Sequence, residues 1–144
     1  MSKPVILAVD DDREVLGAVE RDLRRQYRQD YRILAANSPN EAIEAVLQLK
    51  QRAAAVALFL VDQRMPGMTG IELLRTVKER WPHVQRVLLT GHADSAAIEE
   101  AVNRSEIFRF IWKPWDDAHL LITVQSAIEQ FWTLDENDRL TREL

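Results

Sequence analysis

Five short apolar runs alternate with five longer stretches of helical periodicity, and this alternation constrains the fold more than any other feature of the chain. The runs are Val5–Val9, Tyr31–Ala35, Ala57–Val61, Val87–Leu89 and Phe108–Trp112. Between them, apolar residues recur three or four positions apart, the spacing of one helix face. The first stretch carries Val15, Leu16, Val19 and Leu23; the second, Ala42, Ile43, Val46, Leu47 and Leu49. Ser38-Pro39-Asn40-Glu41 opens the second as a capping box with proline at the first helical position. Thr69 introduces a third stretch with Ile71, Leu73, Leu74 and Val77, stopped near Pro82. A weaker fourth runs from about Ser95 to Arg104, and the last begins near Asp116 with Leu120, Leu121, Val124, Ile128 and Phe131. Repeated strand–helix–strand units demand a parallel sheet with helices on both faces. Val5–Val9 and Ala57–Val61 are apolar on consecutive residues, as strands covered on both faces must be. The expected class is therefore α/β, a doubly wound five-stranded parallel sheet.

Composition removes several function classes. The 144 residues contain no cysteine, which excludes disulfides, thiolate metal sites and cysteine nucleophiles. Nineteen basic and 23 acidic side chains leave a net charge of −4, so the chain as a whole is not drawn to nucleic acid or anionic lipid. No apolar run approaches the roughly 18 residues of a spanning helix. A cytoplasmic location with no membrane contact and no direct contact with nucleic acid is expected.

In an open parallel sheet, ligands bind outside the carboxyl ends of the strands. Asp10-Asp11-Asp12 follows the first run, Asp62 the third, Thr90-Gly91 the fourth and Lys113-Pro114 the fifth. Carboxylates, a hydroxyl and an ammonium are thus expected at one edge. Asp10, Asp11 and Asp62 would repel one another unless a divalent cation and Lys113 neutralised them. Oxygen ligands with room for water suit Mg²⁺. A carboxylate nucleophile beside a metal, a lysine and a hydroxyl is equipped to accept a phosphoryl group. Asp12 is read as the cap of the first helix.

Five separated elements resemble the receiver domain of two-component response regulators. They are Val9-Asp10-Asp11, Asp62 followed by Met65-Pro66-Gly67-Met68-Thr69-Gly70, Leu89-Thr90-Gly91, Phe110, and Lys113-Pro114. The resemblance implies a flavodoxin-like (βα)5 fold with strand order 2-1-3-4-5. It implies Asp62 as phosphoacceptor, and Asp10, Asp11, Asp62 and the backbone carbonyl of Arg64 as Mg²⁺ ligands. Thr90 and Lys113 would bind the phosphoryl group, a cis bond would precede Pro114, and Thr90 with Phe110 would form the switch. A sensor histidine kinase or phosphotransfer protein would be the donor. Arg64 and His92 either flank the route of the hydrolytic water or are solvent-facing loop residues. Thr69 stands where the family often has aspartate, and can still cap the helix that follows.

Two other functions stay open. One is a Mg²⁺-dependent phosphatase with an aspartyl nucleophile, for which Asp10 and Asp12 have the required spacing. The other is an adaptor that works without phosphorylation. The expected organisation is a receiver domain over 1–131 and a helical extension over 132–144 towards an output domain. That extension, spaced by Leu134, Leu140 and Leu144, is either a solvated helix end or a signalling helix. Phe108, Phe110, Trp112, Trp115, Phe131 and Trp132 divide between core and surface. Those at the surface would form a patch for a partner or a homodimer, on the fourth helix, fifth strand and last helix or along the extension.

Overall fold

The computed structural model describes residues 3–91 and 95–143. His92 and Leu144 lie outside the described residues. Five strands, β1 (Val5–Val9), β2 (Arg32–Ala36), β3 (Val56–Asp62), β4 (Gln85–Thr90) and β5 (Arg109–Trp112), form one parallel sheet in the order β2-β1-β3-β4-β5. They alternate with α1 (Arg13–Tyr27), α2 (Pro39–Gln51), α3 (Gly70–Arg80), α4 (Ser95–Asn103) and α5 (Asp117–Glu143).

Side-chain alternation along the strands divides the interior into two layers. Leu7, Val9, Phe59, Val61 and Leu88 pack under α2, α3 and α4 through Ala42, Val46, Leu73, Leu74, Val77, Ile98 and Ala101. Ile6, Ala8, Leu58, Leu60, Val87, Leu89 and Ile111 pack under α1 and α5 through Leu16, Val19, Leu23, Leu120, Val124 and Ile128. Central strands β1, β3 and β4 are buried along their whole length, as a two-sided parallel sheet requires.

Helix starts follow local chemistry. Asp12 accepts from the Glu14 and Val15 amides, Ser38 from that of Glu41, and Thr69 from that of Glu72 in a reciprocal capping box.

Two expectations shift in detail. Leu47 is exposed and Leu49 buried, because α2 faces the sheet with Ala42, Val46 and Leu49. Strand β4 begins two residues before its apolar run, so Gln85 and Arg86 are buried. Arg86 is tolerated there because its guanidinium donates to four carbonyls, those of Pro82, Val84, Ser105 and Glu106. Helix α5 continues unbroken past Phe131. Trp132 at its surface donates its indole N–H to the Tyr31 hydroxyl at 2.8 Å, tying the helix to the chain entering β2.

Candidate phosphoacceptor site

At the carboxyl edge of the sheet a cleft of about 340 Å³ is lined by Asp10, Asp11, Asp12, Asp62, Gln63, Arg64, Gly91 and Lys113. The topology makes it. β1 and β3 are neighbours, so the residues that end them, Asp10 and Asp62, come side by side; β4 and β5 continue the row to Gly91 and Lys113.

The Lys113 ammonium donates to Asp62 Oδ1 at 2.5 Å and to Asp10 Oδ2 at 3.1 Å, bridging two buried carboxylates. Asp10 Oδ1 also accepts the Asp12 amide at 2.9 Å, which fixes its rotamer. The Lys113–Pro114 peptide is cis. Burial pushes the Asp10 carboxyl above the ordinary aspartate range; the Asp62 charge adds to this, and the Asp12 amide and Lys113 offset it only in part. Burial opposes the charge on Lys113, but the hydrogen bonds and charges of Asp62 and Asp10 outweigh it and hold the ammonium above the usual lysine value. Lys113 is thus paired with two of the cluster's three carboxylates, Asp10 and Asp62.

Asp10, Asp11 and Asp62 can each offer an oxygen within 4.8 Å of the others, with Asp11 exposed to solvent. This all-oxygen, net negative donor set with an open side fits a hard divalent cation that keeps part of its water shell. Arg64 is exposed on the cleft wall, where its backbone carbonyl could join the ligands.

Thr90 and Phe110 stand apart from this group. Thr90 is buried at the end of β4, its carbonyl accepting the Lys113 amide at 2.8 Å, and it is not part of the cleft wall. Phe110 lies on the neighbouring strand, edge-on to Trp112 with ring centroids 5.4 Å apart. The two rings line a separate cavity of about 280 Å³ with Ile98, Glu99, Val102 and Asn103. Trp112 is 44% exposed.

Two supporting residues, Gln63 and Gly70, have structural roles that the sequence reading did not assign. The Gln63 amide donates to the Leu89 carbonyl, and its backbone and side-chain oxygens accept the Gly70 and Ile71 amides. This seats α3 against the end of β3. Gly70 allows the close approach, because a Cβ there would lie 2.4 Å from the Asp62 carbonyl oxygen and 2.8 Å from Leu88 Cδ1. The motif from Met65 to Gly70 and the capping Thr69 lie beside both, but neither pattern shows this contact.

Fold and cleft together define a family that comparison with known proteins identifies. The model of the response regulator receiver domain matches residues 6–125. The chain belongs to this family. It is 40% identical over 139 residues to the hydrogenase transcriptional regulatory protein HoxA of Cupriavidus necator, covering 96% of this chain and 27% of that protein. The chain spans about a quarter of the length of the curated relatives it matches. Among solved structures, the signal receiver domain of an HD domain-containing protein from Pseudomonas fluorescens Pf-5 superposes with a TM-score of 0.81 at 29% identity, covering 94% of each chain. A response regulator receiver domain protein from Clostridium thermocellum gives a TM-score of 0.79 at 25% identity, covering 91% of this chain and 98% of that one. The chain is thus a receiver domain of the two-component kind, a family that uses Mg²⁺. Among the described residues, no helix is long and apolar enough to cross a membrane.

Proposed function

We propose that the chain is a phosphorylation-controlled switch in which Asp62 accepts a phosphoryl group from a phosphohistidine of a sensor kinase or phosphotransfer protein. The observation that carries this is the Lys113 ammonium bridging Asp62 and Asp10 inside an open acidic cleft. An Asp62 carboxylate oxygen forms the new P–O bond, the P–N bond to the donor imidazole breaks, and the imidazole leaves. Lys113 orients Asp62 before transfer and pairs with the phosphoryl oxygens after it. Asp10, Asp11, Asp62 and the Arg64 carbonyl would hold Mg²⁺, which when bound supplies neutralisation of the phosphoryl oxygens. The Thr90 hydroxyl then turns towards the new oxygens, and Phe110 moves into the space behind it. That repacking changes the α4–β5–α5 face and, through it, an output. Self-phosphorylation and self-dephosphorylation are its only chemistry.

Asp12 Oδ1 caps α1, a structural use of this residue that favours the switch over the phosphatase whose general acid it would be. Residues 1–131 act as the receiver and 132–144 lead towards an output. The protein acts in the cytoplasm without touching nucleic acid itself, whatever the remainder of regulators such as HoxA does. A homodimer through α4–β5–α5 or the end of α5 is part of the reading, supported by the exposed Trp112, Val102 and Ile122.

The test is incubation with Mg²⁺ and acetyl phosphate, read by intact mass, for wild type, Asp62→Asn and Asp10→Asn. One phosphoryl group per chain is expected in the wild type and none in Asp62→Asn. Turnover of small phosphate esters that survives Asp62→Asn would overturn the reading. A strict monomer with and without beryllofluoride would remove the dimer from it.

A further inference from the structure

The C-terminal end of helix α4 is held by a cluster of polar contacts. The helix is nine residues long and, among its residues whose burial is described, Ile98 and Ala101 are the buried ones, so the contacts at its C-terminal end matter to its attachment. Its C-terminal turn is clamped. Ser105 adopts a left-handed φ of 59°, and the Glu106 amide returns to the Ala101 carbonyl at 2.8 Å, closing the helix. Glu106 is buried at 7% exposure, and its carboxylate takes two bonds from Arg75 of α3, from Nε at 2.5 Å and Nη2 at 3.2 Å. Lys78 of α3 adds a bond from its ammonium to the Arg104 carbonyl at 2.7 Å. From below, buried Arg86 of β4 donates to the Ser105 and Glu106 carbonyls at 3.0 and 2.9 Å.

Strand periodicity relates this clamp to the switch. Arg86, Leu88 and Thr90 occupy alternate positions of β4 and share one face, where Leu88 packs in the layer formed with α3 and α4 and Arg86 meets the turn after α4. Arg86 sits under the clamped end, Leu88 beside Phe110, and Thr90 at the cleft end, about 13 Å from Arg86 along the strand. One strand face thus carries an anchor, a floor and a switch in sequence.

We propose that Arg75, Arg86 and Glu106 are positioning residues that make the C-terminal turn of α4 a fixed pivot, so that α4 responds to Asp62 phosphorylation by swinging from its other end. The response rests on the phosphoacceptor reading above; the pivot itself does not. Without the clamp, a short helix with two buried side chains can slide or unwind as a whole, and the displacement of Thr90 is dissipated. With it, the same displacement opens and closes the cavity between α4 and the Phe110–Trp112 pair.

Amide hydrogen exchange on the full chain tests both parts. With no phosphoryl donor, the Glu106 and Ile107 amides, both bonded to the Ala101 carbonyl, exchange at least about tenfold more slowly than amides in the first half of α4. Equal rates would overturn the pivot irrespective of any phosphorylation. With Mg²⁺ and acetyl phosphate, and one phosphoryl group per chain verified by mass, the change is confined to the first half of α4. In Glu106→Gln and Arg75→Met it spreads through Arg104–Ile107, and Arg75→Lys restores part of the confinement. A change uniform along α4 in the wild type, or an unaltered pattern in Glu106→Gln, would overturn the proposal. Arg86 is kept intact, since its removal strands four carbonyls and endangers folding. A chain that gains no phosphoryl mass sinks the phosphoacceptor reading, while the exchange rates without donor still decide the pivot.

Discussion

Gly70 and Gly17 make a matched pair in which one substitution should have opposite effects. Gly70 begins α3, and a Cβ there would stand 2.4 Å from the Asp62 carbonyl oxygen and 3.0 Å from its carbon. Backbone cannot rotate aside as a side chain can. For contact to become ordinary, at 3.4 Å or more, the start of α3 must retreat by about 1 Å from the strand that carries Asp62. That retreat strains the bonds from the Gly70 and Ile71 amides to Gln63, each worth about 1 kcal/mol. Overpacking adds about 1–3 kcal/mol, and the better helix propensity of alanine returns about 0.5 kcal/mol. The expected loss for Gly70→Ala is about 2–3 kcal/mol, a fall in Tm of about 4–12 °C for a domain of this size. Gly17 lies within α1, and its Cβ would meet nothing closer than Arg21 Nη1 at 4.0 Å. Gly17→Ala should therefore stabilise by roughly 0.5–1 kcal/mol through a less flexible unfolded chain and a better helix. Thermal unfolding by circular dichroism reads both, and acetyl phosphate labelling reads whether the Gly70 variant has also displaced Asp62, by slower phosphorylation. A Gly70→Ala protein that melts with the wild type and labels at the same rate would show that α3 does not rest on the Asp62 backbone.

Three further outcomes follow from the same geometry. Mg²⁺ should raise Tm in the wild type by mass action, by about 2.7 kcal/mol of stability at a hundredfold excess over Kd, and Asp11→Asn should lose most of that rise. The Arg75 bonds hold the Glu106 carboxyl below the usual glutamate range, burial opposing them only partly. A lowered folded value means that this stability is complete above the unfolded value near 4.5 and fades as pH falls through the lower folded one. Glu106→Gln should thus cost about 1 kcal/mol at pH 7, discounted because the Arg75 side chain is 47% exposed, and its deficit should shrink in urea melts carried out progressively below pH 4.5. Trp132→Phe should lower stability by less than about 1 kcal/mol, since it removes one exposed hydrogen bond, and the urea midpoint should barely move.

The strand ends were legible in the sequence because a parallel sheet leaves few choices. Every strand runs the same way, so residues that follow different apolar runs must gather at one edge, and Asp10, Asp11, Asp62 and Lys113 do. Strand order came from the resemblance, since periodicity alone does not say which strands are neighbours. What escaped reading depends on distances rather than patterns. Arg86 breaks an apolar run on paper, yet is buried because four carbonyls happen to surround its donors. Arg75 and Glu106 are 31 positions apart and meet only once α3 and the end of α4 are laid side by side. Leu47 and Leu49 both fit a helical stripe; only the angle at which α2 meets the sheet chooses the second. Gly70 stands in the motif that follows Asp62, but its reason, an approach too close for a methyl group, shows only in three dimensions.

Helix α5 spans 27 residues, about 40 Å, whereas the longest strand has seven residues and reaches about 23 Å. Its last deeply buried side chain is Phe131, twelve positions before Glu143. Leu134 and Asp135 are still half-buried against the domain, so the free arm is the last eight residues of the helix, about 12 Å, and a rotation of about 10° at its base would carry the tip through an arc of about 2 Å. Sub-ångström repacking where the rod leaves the domain can thus become a displacement large enough to remake or break contacts at its far end.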